Sequence, residues 1–229
     1  MQNDMLLVED LMMLLLDDET GTPAAAGTLH YTLGGAVLVE LALRGRVETE
    51  GGEGLNGPKV LAVGDGSLSD PLLQSAYEKV AERPRRVQPL LLHIGGGLRK
   101  PVIDRLIERG LIRREKKRVL GVFPMTMLPA EDTGHEAELR RKIRAVLEDG
   151  ESPDTRTGAL IALLSSSGAL PALRPPIKWS GKVYKRAKEI EKGHWGAEGV
   201  STAVTRTAVA IAVSTAAVSI SVVTSASTQ

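Results

Sequence analysis

Apolar positions fall along this chain in two periods. Residues 6–16 are almost continuously apolar and stop at Asp17-Asp18-Glu19-Thr20-Gly21. Eleven residues fall short of the ~20 that cross a bilayer, so the run predicts a buried core helix followed by a turn. Residues 22–27 are small and read as a loop. Residues 33–43 (LGGAVLVELAL) predict a second buried helix with Glu40 on its minority polar face, closed by Gly45 within Arg44-Gly45-Arg46. Residues 47–50 and 59–63 then read as two short strands around a glycine-rich turn at 51–58. Asp70-Pro71 is a helix start, with Asp as cap and Pro at the first helical position, and that helix runs to about residue 82.

Residues 87–94 are a short apolar segment ended by Gly95-Gly96-Gly97. An amphipathic helix over 101–109 comes next and stops at Gly110. After it come strand-like stretches at 111–114 and 118–123, the second lying in a hairpin over 115–126. Thr133 and Glu136 have capping-box spacing, with a helix from there to about 148. Pro153-Asp154 opens a helix over 157–166. Residues 168–181 are proline-rich and irregular, and 183–191 form a basic helix. The run 207–224 is uncharged and rich in Ala, Val, Ser and Thr. Its composition predicts an apolar terminal helix at about 197–225, buried in the protein, because it lacks the Leu and Phe of a stable span. The expectation is a mainly α fold: one compact helical domain over 1–229 with two β-hairpins at its edge. The stretches LVELALRGRVE and IDRLIERGLIR echo each other, each a helix, an Arg-Gly stop and a strand. That winged-helix-like pattern keeps a nucleic-acid reading open, although Asp104 and Glu108 on the would-be recognition helix argue against phosphate contact.

Charge is unevenly distributed. The formal net charge is only +1, but residues 1–53 sum to −8 and residues 82–118 to +8. Between Arg99 and Arg118 nine Lys/Arg face three acids, Asp104, Glu108 and Glu115. Three readings fit: a surface facing an anionic partner, a surface between subunits of a ligand-free oligomeric scaffold, or two halves that neutralise each other within the fold. Chemistry is sparse. There is no cysteine, the four histidines are scattered, and no metal, nucleophile or nucleotide motif is present. The start of the chain has acids where a cleavable leader carries bases, so none is expected. Glu9-Asp10 and Asp17-Asp18 are adjacent pairs whose side chains diverge on a helix, and they read as helix-end and solvent charges. No enzyme, cofactor or metal is expected.

The strongest candidate site is Gly96, Gly97, Arg99 and Lys100, where glycines let backbone N–H groups approach an anion at a helix start. A second surface is the hairpin with its approach, Arg113, Arg114, Lys116, Lys117, Arg118, Val119, Leu120 and Phe123. Its bases attract anionic lipid, and its apolar residues touch the membrane or another subunit.

Four stretches, LVEDLMMLLLDDETG, AVLVELALRGRV, SDPLLQSAYEKV and VIDRLIERGLIRREKKRVLGVFPMTMLP, resemble in order and spacing the Golgi phosphoprotein 3 family, in its bacterial, actinobacterial-looking branch. The resemblance covers about residues 6–195. It implies a mainly helical domain with edge hairpins. It also implies a cytoplasmic protein peripherally bound to the inner face of a membrane, since eukaryotic members bind phosphatidylinositol 4-phosphate. They also bind glycosyltransferase tails, so protein clients are implied, and some self-associate through the second hairpin, so a homo-oligomer through 115–126 is implied. The family's headgroup residues fall here on 24–26 (its Trp) and on Gly34, Gly96 and Arg99 (its Arg residues), and only Arg99 is kept.

Overall fold

The computed structural model describes residues 5–17, 22–24, 26–51, 56–119, 123–173, 176–194 and 206–214; for 117–119 and 123–125 the description is of the backbone alone. The apolar run at the start forms helix α1, Leu7–Leu15, with no exposed face. Helix α2, Leu29–Leu43, begins four residues earlier than the sequence pattern indicates and is buried over most of its length. It packs against α4, Val87–Gly95. Their approach is set by glycine. A Cβ on Gly34 would lie 2.3 Å from the Leu91 carbonyl oxygen, and one on Gly95 would lie 1.7 Å from that of His30. No other residue type fits either position without parting the helices. The 87–94 segment is thus a helix in its own right, with Pro89 tolerated in its first turn.

Strand β1 (Val47–Glu50) pairs antiparallel with β2 (Lys59–Ala62), with Val47 opposite Ala62. A third strand, β3 (Arg85–Arg86), adds to β2, so the first predicted hairpin is a three-stranded sheet. Two adjacent arginines carry no strand signal, and pairing with Lys59 and Val60 alone makes them one. Helix α3, Pro71–Ala81, is capped as predicted: Asp70 Oδ1 accepts from the Leu72 and Leu73 N–H groups at 2.9 and 3.3 Å. Helix α5 is Arg99–Glu108, so it starts two residues before the predicted 101 and takes Arg99 and Lys100 into its first turn.

The echo between the two Arg-Gly stretches is structural. Gly45 (φ 64°) and Gly110 (φ 72°) both take the left-handed conformation open to glycine. The N–H groups of Gly45 and Arg46 reach back to Ala42 and Leu41 carbonyls, as those of Gly110 and Leu111 reach Ile107 and Leu106. Both are Schellman closures. Beyond the closures the two chains diverge. After Gly45 comes a strand directly, whereas Leu111 and Ile112 descend into the core, Ile112 making a lone bridge to Ala130. The predicted strands at 111–114 and 118–123 are therefore displaced. The hairpin is β4 (Glu115–Val119) with β5 (Phe123–Met127), with Val119 opposite Phe123, in agreement with the 115–126 expectation.

Helix α6, Gly134–Arg144, runs on as a π-helical turn to Asp149. The predicted capping box is absent. Thr133 makes no cap bond, Asp132 accepts from the Gly134 N–H, and Glu136 binds Arg140 instead. Helix α7, Thr155–Ser166, is capped by Asp154 on the Thr157 N–H at 2.7 Å. A 3₁₀ turn at Leu170–Ala172 leads to α8, Gly181–Glu191. Residues 206–214 form a last helix, α9; the rest of the predicted terminal helix lies outside the described residues. Among the described residues no helix is long and apolar enough to cross a membrane.

Of the acids read as helix-end and solvent charges, Glu9 and Asp10 are not solvent charges, Asp17 is half-buried, and Asp18 lies outside the described residues. Glu9 and Asp10 are 0% and 1% exposed, and Glu40 is buried with them. Glu9 accepts from the Leu6 N–H at 2.7 Å, from Arg105 Nε at 3.1 Å and from Arg109 Nε at 2.8 Å. Glu40 accepts from the Leu7 N–H at 2.8 Å and from Arg44 Nε at 2.8 Å. Arg156 joins three elements: its Nε donates to Asp10 at 2.8 Å, its Nη1 reaches Glu40 at 3.3 Å, and its Nη2 donates to the Met5 carbonyl. His135 completes the set on Asp10 at 2.7 Å. Buried carboxylates persist only when so paired. Part of the charge asymmetry is therefore consumed inside the fold.

Candidate functional site

Seven residues of three elements enclose a groove of about 370 Å³: Gly97, Arg99, Lys100, Ile103, Arg114, Thr126 and Leu128. The α4–α5 turn and the first turn of α5 form one wall, and the base of the β4–β5 hairpin forms the other. Ile103 and Leu128 are buried and supply an apolar floor. The cations stand on the rim. The sequence sets Arg99 and Lys100 apart from Arg114 as two surfaces; the fold brings them to one.

The local chain explains the arrangement. Gly95 ends α4 and is consumed by the contact with α2, so the triple glycine is not one loop. The Gly96 N–H is bonded to the Leu92 carbonyl and the Leu98 N–H to that of Gly95. The anion cradle expected at Gly96 and Gly97 is thereby reduced: Gly96 contributes no N–H. Leu98 is the N-cap without a side-chain cap, which places Arg99 and Lys100 at the positive end of the helix.

Charges on the rim differ in availability. Arg99 is exposed and makes no ion pair or hydrogen bond among the described residues. Lys100 and Arg114 share Asp104, at 2.7 and 3.0 Å. The hydrogen bond from Lys100 holds the Asp104 carboxyl below its ordinary range; burial opposes it, and the hydrogen bond from Arg114 adds to the lowering. This triad ties the helix to the approach of the hairpin. Arg113 is held by Glu115 at 2.6 Å, and Lys116 is exposed without a partner among the described residues. Lys117, Arg118, Val119 and Phe123 lie on the paired strands, and their side chains are outside the description, as is Leu120 altogether.

Two bases of the sequence cluster do not face outward. Arg105 and Arg109 turn to Glu9, and Arg105 also binds Asp70 at 2.8 Å. Burial works against the Arg105 charge, but its hydrogen bonds to Glu9 and Asp70 outweigh that and raise its pKa. The signal is present in the helix pattern. Residues 105 and 109 flank the apolar stripe of Val102, Ile103 and Leu106, where long side chains lie along the core boundary.

A second groove, about 450 Å³, opens on the other side of the same turn and runs along α3. Its polar groups are Ser75, Lys79 and Arg105, and Gly97 is common to both grooves. Nothing in the sequence singles out Lys79, whose partner is the backbone carbonyl of His93 at 3.4 Å.

Gly34 stands where the resemblance places a headgroup arginine. It lies in the α2–α4 contact, with backbone where a side chain would have to begin. Residues 7–207 match a family model described as Golgi phosphoprotein 3.

Proposed function

The chain belongs to the Golgi phosphoprotein 3 family, and from that membership we propose that it is a peripheral, adaptor-like protein that binds anionic lipid through the Arg99 groove. The observation that carries this is the state of Arg99. It is an exposed guanidinium at a helix start, free of internal partners among the described residues, beside an apolar-floored groove. Guanidinium and helix N-terminus both favour a phosphate oxygen, and the floor receives the apolar part of the same amphiphile. Lys116 adds attraction of about 1 kcal/mol near an anionic surface, and the Lys100–Asp104–Arg114 triad, with its net single positive charge, about as much again.

The reading is one of general anionic recognition. A stereospecific phosphoinositide site needs several fixed donors around one headgroup, and this chain offers glycine at positions 34 and 96. Binding therefore depends on surface charge. The hairpin beside the groove is the surface proposed to lie on the bilayer or to meet a second copy.

The test is co-sedimentation with phosphatidylcholine vesicles, with and without phosphatidylglycerol. The wild type is expected to pellet only with the anionic vesicles, and Arg99→Glu with Lys116→Glu and Lys117→Glu to remain in the supernatant. Unchanged pelleting of the triple variant overturns the assignment of the groove. Phosphatidylinositol 4-phosphate at equal surface charge is expected to give no added binding; a large gain would overturn the general reading.

A further inference from the structure

We infer that the start of α8, residues 178–185, is a second membrane-contact surface, separate from the Arg99 groove, in which Trp179 and Tyr184 enter the interface of an anionic bilayer. This rests on the lipid reading only for the identity of the partner; the residues and elements are others.

The chain has one Phe, three Tyr and two Trp. Against that scarcity, Trp179 is 44% exposed and Tyr184 52% exposed. Ser180 caps α8 by accepting from the Val183 N–H at 3.2 Å. That makes Trp179 the residue before the cap and Tyr184 the fourth helical residue, the two positions that pack together in a hydrophobic staple. They do so edge to face, with ring centroids 6.3 Å apart. A staple explains their contact. It does not explain why two large amphipathic rings leave half their surface in water, since a smaller apolar pair would hold the same entry angle.

The surroundings identify what covers them. The neighbouring exposed residues are Lys178, Ser180, Gly181, Lys182 and Lys185, with no acid among 178–185. Ile177 and Val183 are buried and fix the segment to the body of the protein. Lys182 leans on the Glu148 carbonyl at 3.3 Å and the Lys178 N–H donates to Glu148 Oε1 at 3.1 Å, while the ammonium groups of Lys178 and Lys185 have no partner among the described residues. Arg186, next along, is committed to Glu189 and the Glu151 carbonyl. Trp and Tyr with an apolar body and a polar tip belong at the membrane–water boundary, and lysines on long stems reach the headgroups beside them.

Tryptophan emission tests this on the full chain. W195F leaves Trp179 as the sole tryptophan, and the difference spectrum between wild type and W179F reports the same site if W195F does not fold. With phosphatidylcholine–phosphatidylglycerol vesicles Trp179 emission is expected to shift to the blue and to be quenched by lipids brominated near the headgroup end of the acyl chain. Neither is expected with phosphatidylcholine alone. K178A, K182A and K185A are each expected to weaken the transition by about fivefold. If the protein pellets with anionic vesicles while Trp179 neither shifts nor is quenched, this inference fails and the Arg99 reading survives. If Arg99→Glu with Lys116→Glu and Lys117→Glu abolishes pelleting through the groove but Trp179 of the wild type still enters the bilayer, both stand. If Trp179 enters and the triple variant pellets unchanged, the Arg99 assignment is the one that fails. A blue shift with a DNA oligonucleotide or poly-glutamate in place of vesicles, and none with vesicles, assigns the patch to another polyanion and overturns the proposal.

Discussion

Glu9 is the position where the structure makes its largest energetic claim. Its carboxylate has no exposed surface and is the shared acceptor of Arg105 and Arg109, each about one-fifth exposed at the side chain. Glu9→Gln keeps the size and an oxygen for the Leu6 N–H, but removes the charge. Arg105 retains Asp70, whereas the pairing of both guanidinium groups with Glu9 is lost. Breaking a buried pair by removing one partner costs about 3–5 kcal/mol, and the partial exposure of the arginines places the expected loss near the lower end, about 3 kcal/mol. At about 2–4 °C per kcal/mol for a protein of this size, the melting temperature should fall by roughly 6–12 °C. Glu138→Gln is the matched control, because the Glu138–Arg141 pair at 2.7 Å is exposed at both ends, and surface pairs contribute less than about 1 kcal/mol. Urea denaturation of the two variants side by side is the assay. If Glu9→Gln costs no more than Glu138→Gln, the interior network does not support the fold as described.

Three single sites give further expected outcomes. Gly34→Ala gains about 1 kcal/mol of helix propensity but drives a Cβ against the Leu91 carbonyl, and overpacking of that kind costs about 1–3 kcal/mol, so a net loss is expected in urea melts. Gly181→Ala, with nothing within 4 Å of the added carbon, should be neutral or slightly stabilising, and equal stability of the two variants would contradict the close α2–α4 contact. Because the folded-state pKa of Asp104 is depressed, its contribution to stability is present above the ordinary Asp value of about 3.9 and lost as pH falls through the lower folded value. The difference in melting temperature between wild type and Asp104→Asn should therefore hold constant from neutral pH to about 4 and close only below it; closure already above about pH 5 would contradict the clasp.

What is legible in the sequence and what is hidden divide by distance along the chain. Asp70-Pro71, Asp154 and the glycines after Arg44 and Arg109 act on atoms within a few residues, and each forms the cap its spacing predicts. The burial of Glu9 is hidden because its partners lie 96 and 100 residues away. Two adjacent acids in an apolar run look like an end of a helix when nothing local neutralises them. The triple glycine misleads for the same reason. Only the packing of α4 on α2 separates Gly95, which must be small, from Gly96 and Gly97, which form the turn. Of the site, Arg99 and Lys100 are legible from charge beside glycine. The apolar floor is not, since Ile103 and Leu128 meet only when the hairpin folds back against α5.

Arg156 bears on how the chain is made. It pins the Met5 carbonyl, Asp10 and Glu40 together, yet it lies 146 residues after Asp10. At about 5–20 residues per second, a ribosome takes roughly 7–30 s to synthesise that interval. During that time the first helix, leucine-rich on every side, gains the Glu9 partners Arg105 and Arg109 but still lacks the arginine that pairs Asp10. The segment around Asp10 is thus synthesised long before the arginine that locks it.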